Sequence, residues 1–306
     1  MGADLTIVIV TKNRPVKLAR CLASIRKQSV LPSGVLIIDN DVRRSAFPVY
    51  REYKNSLNLY FSSEKRQGVP WARNKALKYT KSQLLGFVDD DCVLDKRWSE
   101  NVVNMLSESE NITYVVGDTK LYNKNNLFAL AQHSRDNYWK LKTFKNGNET
   151  TRYHFDTKNV VIKLSDIKSK NVKFDPKCSI NEFDSGDFDF GLNLAGKSLK
   201  GVYLEKMILF HEETSGISRF IKRAYYRGKI AKYISKKWDL GNVLVNLPAR
   251  NFKWWFFDSI NNFAKEKRMY TKNLKINNLK KILITILIRI HDRIYLQGYL
   301  SFNDES

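Results

Sequence analysis

Asp89, Asp90 and Asp91 stand side by side at the end of the apolar run Leu84-Leu85-Gly86-Phe87-Val88. Adjacent carboxylates repel one another, so this stretch calls for a positive partner. Hard divalent cations take oxygen ligands, and Mg²⁺ sites often combine one or two carboxylates with substrate phosphates. An acidic turn with helix-capping side chains is the plainer alternative for the same residues. Thr11, Asn13, Asp39 and Asp41 also follow short apolar runs. If those runs are neighbouring strands, their polar ends converge on one rim, which packing alone does not require.

The elements that must position these groups are legible. Residues 84–88 suit a strand buried on both faces. Residues 5–10, Leu-Thr-Ile-Val-Ile-Val, read as another central strand. The chain then turns through Thr11-Lys12-Asn13-Arg14-Pro15 into a helix. Asn13 or Arg14 caps it, Pro15 suits its first position, and Leu18, Leu22 and Ile25 form its apolar stripe. Residues 35–38 and 57–61 are further strands, and Trp71 opens a second helix. This alternation predicts a parallel sheet with helices on both faces, and such sheets bind ligands outside the carboxyl ends of their strands. Beyond the triplet, residues 95–106 read as helix, and 112–117 and 155–164 as strands. Residues 120–151 show no period and read as an acceptor-side loop or lid.

A chain of 306 residues with 43% hydrophobic content can bury a large core. Its formal charge of +22 points to an anionic partner: nucleic acid, a nucleotide-bearing substrate or an acidic membrane surface. Three cysteines, Cys21, Cys92 and Cys178, show no metal-type spacing and fit a reducing cytoplasm. No signal peptide is evident at the N-terminus. The most membrane-like run, residues 282–288, falls far short of the ~20 residues that span a bilayer. The expectation is a soluble cytoplasmic protein, or one held peripherally at the inner face of the cell membrane. Neither Gly-x-Gly-x-x-Gly nor a Walker phosphate loop follows the first strand, which argues against dinucleotide enzymes and P-loop ATPases. No helix-turn-helix, zinc-finger or RRM pattern occurs, so nucleic acid is not the expected partner. A nucleic-acid-binding protein and a metal-dependent nucleotidyltransferase stay as the alternatives, the latter without its Gly-rich basic signature.

The series Thr6 to Pro15, then Asp39, then Gly68-Val69-Pro70-Trp71-Ala72-Arg73-Asn74, then Phe87 to Asp91 resembles family 2 glycosyltransferases of the GT-A fold, of bacterial surface-polysaccharide type. The resemblance covers about the first 120 residues and extends to order and spacing. It implies an α/β GT-A fold, a Rossmann-like mostly parallel sheet with helices on both faces, followed by a C-terminal helical region. It also implies a metal-dependent inverting transfer of a hexosyl or N-acetylhexosaminyl group. The sugar would move from a nucleoside diphosphate donor, UDP-linked by expectation, to a hydroxyl of a glycan or lipid-linked acceptor. Thr11, Asn13, Arg14, Asp39, Asp41, Arg73, Asp89 and Asp90 would hold the nucleotide. Asp39 would meet the base, and Arg73 the ribose or diphosphate. Asp91 would carry Mn²⁺ or Mg²⁺, with His211 completing the metal shell. A second block, Ser185-Gly186-Asp187-Phe188-Asp189-Phe190, resembles the family's acidic motif and makes Asp187 the implied catalytic base. Glu182 and Asp184 are rival bases, because Gly186 and Asn193 depart from the usual Glu and Arg.

Composition changes after residue 214, which divides the expected catalytic domain, 1–214, from a basic helical region, 215–306. That region holds 19 Lys and Arg against 6 Asp and Glu. Phe220 to Lys229 reads as a basic aromatic helix. Trp254-Trp255-Phe256-Phe257 and residues 282–290 add apolar faces near Lys280, Lys281, Arg289 and Arg293. Such helices either lie on anionic membrane or pack inward as an ordinary subdomain.

Overall fold

The computed structural model describes residues 3–143, 155–241 and 252–302. Its contacts divide the chain into two compact units, Met1–Tyr122 with Lys142–Glu212, and Asn123–Leu141 with Glu213–Ser306.

The first unit is built on a sheet of eight strands among the described residues, in the order β3-β2-β1-β4-β7-β6-β10-β5. These are β1 (Ala3–Thr11), β2 (Pro32–Asp39), β3 (Leu59–Ser63), β4 (Leu84–Asp89), β5 (Cys92–Leu94), β6 (Tyr114–Leu121), β7 (Asn159–Lys163) and β10 (Gly201–His211). β3, β2, β1 and β4 run parallel, as do β6 and β10. β7 is antiparallel to both β4 and β6, and β5 is antiparallel to β10. The sheet is therefore mixed, parallel where the alternation of strand and helix predicted it. Short elements escaped the sequence reading, among them β5 and the helices α2 (Phe47–Tyr53) and α6 (Leu164–Ser169).

Period-two alternation sends β1 to two cores. Leu5, Ile7 and Ile9 pack with α1 (Pro15–Ile25), α2 and α4 (Trp98–Ser107). Val8 packs on the other face with α3 (Val69–Tyr79), α6 (Leu164–Ser169) and α7 (Gly186–Gly196). Helix α1 begins with Pro15 at its first position and Arg14 at the cap, and Leu18, Leu22 and Ile25 are buried as the stripe requires. Residues β8 (Ser179–Ile180) and β9 (Phe183–Asp184) form a separate small hairpin just before α7.

Residues 120–151 are corrected by the structure. Residues 127–143 form a helix, α5 (Leu127–Thr143), while 144–151 lie outside the described residues. Its periodicity is masked because the buried face includes Gln132 and Ser134 as well as Ala129, Leu130 and Ala131. Gln132 donates to Asp136, and Arg135 Nε donates to Asp292 at 2.6 Å, both within the second unit.

That unit also contains α8 (Ile217–Lys237), α9 (Phe252–Thr271) and α10 (Asn278–Leu300). Residues 254–257 fall on α9, but their side chains lie outside those described. Helices α8 and α10 meet at two glycines. A Cβ on Gly228 would sit 2.0 Å from the Tyr295 carbonyl oxygen, and one on Gly298 would sit 2.0 Å from that of Tyr225. Gly298→Val is expected to force these backbones apart and cost about 1–3 kcal/mol, as overpacking does. A thermal melt measures the loss, which should exceed that of an exposed substitution such as Leu300→Ala.

Candidate active site

The triplet lies where β4 ends. The chain turns at Asp90 and Asp91 and enters β5, whose Cys92 pairs with His211 at the end of β10. This hairpin-like return sets His211 beside Asp91, with Nε2 3.1 Å from Oδ1. The Glu212 amide then donates to the Asp91 carbonyl oxygen at 3.1 Å and fixes the approach.

Helix α1 supplies the cations that three carboxylates require. Arg14 Nη1 donates to Asp90 Oδ1 at 3.0 Å and to Asp91 Oδ2 at 3.1 Å. Lys17 Nζ lies 3.8 Å from Asp91 Oδ2 and 3.1 Å from Glu212 Oε1. Arg20, one turn on, grips the other oxygen of Glu212 and stacks on Tyr122 with its guanidinium 4.4 Å from the ring centre. Thr11 donates its hydroxyl to Asp90 Oδ2 at 2.7 Å. Burial and repulsion from Asp91 raise the Asp90 carboxyl to about 6, against the pull of Arg14 and Thr11. Burial acts on Asp91 in the same sense, but His211, Arg14 and Lys17 outweigh it and hold Asp91 well below the usual carboxylate range.

These residues fit a divalent cation. Asp91 Oδ1 is buried without an aligned hydrogen-bond partner, although His211 Nε2 lies 3.1 Å away. A carboxylate oxygen and an imidazole nitrogen so disposed can bind one ion together. Cys92 is close to both, but burial pushes its thiol well up, so it offers a neutral sulfur rather than a thiolate.

A second network centres on Arg73, which is buried in α3. Its Nη1 donates to Asp184 Oδ2 at 2.6 Å, and its Nη2 lies 3.8 Å from Asp89 Oδ1. Burial opposes its charge, but Asp184, Asp89 and Asp187 more than offset that and raise its pKa. Arg73 thus joins the triplet to the acidic motif. Next to it, Asn74 clasps the backbone of Phe174, donating to its carbonyl and accepting from its amide at 2.8 Å each. Phe174 stacks on Phe190 of α7, with ring centres 4.1 Å apart, and meets Phe87 of β4 edge-on. The motif after Gly68 and the motif after Ser185 are therefore tied together through Phe174.

The rival bases separate by position. Asn181 and Glu182 form the tip of the β8–β9 hairpin, with φ of 48° and 70°, and the Glu182 side chain is 64% exposed. Asp184 is bound through one oxygen to Arg73 and through the other to the Gly186 amide at 3.2 Å. A Cβ at Gly186 would come within 3.1 Å of that same oxygen, which gives a physical reason for glycine where the family motif carries Glu. Asp187, half-buried, opens α7.

The remaining residues that the family resemblance assigns to the nucleotide lie at and after the ends of β1 and β2. Asp39 is buried and accepts the amides of Asp41 and Ala46 at 3.0 Å each, with burial raising its carboxyl. Asp41 accepts the Arg43 amide at 3.1 Å. Asn13, at a left-handed φ of 54°, joins this loop to the β1 end through its amide, which donates to the Ser45 hydroxyl at 3.0 Å. The sequence reading missed Asn40. Its side chain donates to the carbonyls of Glu64 and Arg66 and accepts the Gly68 amide, so it shapes the entry to α3. It also missed Lys17 and Glu212; the spacing of Arg14, Lys17 and Arg20 along one helix face was the available signal.

The model of the family described as glycosyl transferase family 2 matches residues 6–167, just over half of the chain. The chain belongs to this family. Hyaluronan synthase of Pasteurella multocida is 29% identical over 119 residues, 38% of this chain and 12% of that protein. UDP-Glc:alpha-D-GlcNAc-diphosphoundecaprenol beta-1,3-glucosyltransferase WfgD of Escherichia coli is 24% identical over 122 residues, 40% of this chain and 48% of that one. The chain thus spans less than half the length of these curated relatives. Among solved structures, the mannosyltransferase PcManGT of Pyrobaculum calidifontis, in complex with GDP-Man and Mn²⁺, superposes with a TM-score of 0.68 at 12% identity. That match covers 100% of this chain and 89% of the other. S. aureus TarS 1–349 in complex with UDP-GlcNAc gives 0.52 at 13% identity, over 98% and 91%. At such identities the likeness shows the fold, which is the GT-A fold expected from the family 2 motifs.

Proposed function

We propose that this family 2 chain transfers a sugar from a nucleoside diphosphate sugar to an acceptor hydroxyl with inversion. The observation that carries the proposal is Arg73, which bridges Asp89 of a cation-ready triplet and Asp184, and which feels the charge of Asp187 at the start of α7. Asp39, Asp41 and Asn13 shape the loop assigned to the base, while Thr11, Arg14, Asp89 and Asp90 hold ribose and diphosphate. Asp91 and His211 would hold Mn²⁺ or Mg²⁺, which when bound would neutralise charge growing on the departing diphosphate. Asp187 takes the proton of the acceptor hydroxyl. The oxygen forms its bond to the anomeric carbon as the bond to the diphosphate breaks, and a single displacement inverts that centre. Arg14 and Lys17 already sit beside Asp91 and are placed to accompany the charge of a diphosphate.

UDP is the nucleotide of choice. WfgD is named for UDP-Glc and the TarS complex holds UDP-GlcNAc, whereas the mannosyltransferase complex holds GDP-Man. WfgD is also named for a GlcNAc linked to diphosphoundecaprenol, which supports a glycan or lipid-linked acceptor and surface-polysaccharide assembly for this chain. No helix among the described residues is long and apolar enough to cross a membrane. A catalytic domain working on such an acceptor from the cytoplasm would meet the membrane peripherally, through the basic C-terminal region.

Calorimetry with UDP and GDP, each with Mn²⁺ or with EDTA, tests donor and metal together. UDP is expected to bind at least tenfold more tightly with Mn²⁺, and Asp91→Ala should erase that difference. Equal affinity in EDTA would remove the metal from the reading, and preference for GDP would replace the donor. Transfer and hydrolysis over a panel of UDP-, GDP- and dTDP-sugars then identifies the sugar.

A further inference from the structure

We infer that the outer face of α10 docks on an anionic phospholipid bilayer. This deepens the peripheral-contact part of the proposed function and supplies it with a surface.

Helix α10 is apolar on more than one side. Its inner side is committed: Ile284, Thr285, Ile288, His291, Gly298 and Tyr299 are buried, and Gly298 lies against the backbone of α8. A second stripe remains in water. Leu279, Leu283, Ile286, Ile290 and Leu300 are 65%, 37%, 41%, 43% and 72% exposed. The first four follow steps of four, three and four residues, and the same rhythm continues through exposed Arg293 and Gln297 to Leu300. Such spacing keeps them on one face, about 32 Å long at 1.5 Å per residue. A large apolar face of this kind is not left to solvent without a partner.

The charges around the stripe choose that partner. Exposed Lys272, Lys275 and Lys280 cluster at its start, and Arg293 sits within it. The acids of residues 262–302 are Glu266 and Asp292, and each is bonded to an arginine, Arg289 and Arg135 respectively. Among residues 262–302 the face therefore offers apolar side chains flanked by exposed lysines, and both acids of that stretch are already bonded to arginines. A second copy of the chain would present the same cation-flanked face rather than a complementary one. An anionic bilayer surface accepts both components: the apolar stripe enters the interface, and the lysines meet lipid phosphates. Arg293 can extend along its stem to the headgroups.

Cosedimentation of the full chain with phosphatidylglycerol-containing vesicles and with pure phosphatidylcholine vesicles tests this, across a salt series and without any donor. Wild type is expected to sediment with the anionic vesicles at low salt and not with the neutral ones. Leu283→Glu with Ile286→Glu changes two exposed positions and should weaken binding at least tenfold while leaving the thermal melt unchanged. Lys275→Ala with Lys280→Ala should weaken it by roughly fivefold for each cation removed. No sedimentation at low salt overturns the proposal, as does wild-type binding by the Leu283, Ile286 variant. So does a dimer, measured by light scattering, that the same variant dissolves, because the occupant would then be a second copy. Vesicle binding needs no nucleotide, so failure here leaves the transferase reading intact, and failure of that reading leaves this result standing.

Discussion

Asp187→Asn is expected to slow sugar transfer by about 10²–10⁴-fold while the affinity for UDP stays unchanged. The substitution keeps the shape of the side chain and removes its basicity. Asp187 lies in the first turn of α7, where Arg73 feels its charge but bonds instead to Asp184. The diphosphate is assigned to the triplet and α1, so loss of Asp187 should not loosen it. Two neighbours provide the contrast. Glu182→Gln alters an exposed hairpin tip and should leave transfer near normal. Asp184→Asn should lower stability before it touches chemistry, because Arg73 would lose its buried charged partner. Transfer rate, UDP affinity and thermal midpoint measured in parallel separate these outcomes. If Asp187→Asn transfers normally while Asp184→Asn is folded but inactive, the base is Asp184. If Asp187→Asn loses UDP, the residue belongs to the donor site.

The strands and the triplet were legible because they combine strong local signals. Residues 5–10 and 84–88 are apolar runs of strand length that stop on polar residues, and β1 and β4 occupy them with parallel pairing. The helix start at Pro15 was equally plain, since proline fixes its own φ and needs no amide partner there. The direction of β7 was not legible: an apolar strand reads the same in either sense, and its neighbours are β4 and β6, far apart in sequence. β5 is three residues long, too short for any period, yet it is the element that carries the chain from Asp91 to the side of His211. In the candidate site, residue types that titrate or bind metal drew attention, whereas Asn40 and Asn74 act by shaping backbone. An amide side chain that clamps a loop leaves no pattern in one sequence. Helix α5 failed to show for a related reason: its buried side chains include the polar Gln132 and Ser134, and Arg135 meets its partner, Asp292, more than a hundred residues away.

Arg73→Leu should cost about 3–5 kcal/mol of stability, the usual penalty for removing one member of a buried ion pair. The side chains of Arg73 and Asp184 are 7% and 14% exposed, and their 2.6 Å contact ties α3 to the hairpin before α7. With leucine at 73, Asp184 would keep only the Gly186 amide, and Asp89 would lose its nearest guanidinium. The thermal midpoint should fall by roughly 10 °C, since each kcal/mol moves a domain of this size by about 2–4 °C. The pair is held by mutual need more than by net gain, so the double variant Arg73→Leu, Asp184→Leu should recover part of the loss. Arg73 has also been assigned a place near ribose and diphosphate, and the two roles have different readouts. A purely structural arginine would let the double variant, once folded, bind UDP as wild type does. An arginine that also meets the nucleotide would leave the double variant stable but weaker for UDP by at least tenfold. Unchanged stability in Arg73→Leu itself would show that Asp184 finds solvent instead, and that the lock between the two motifs rests on Asn74 and the Phe174–Phe190 stack.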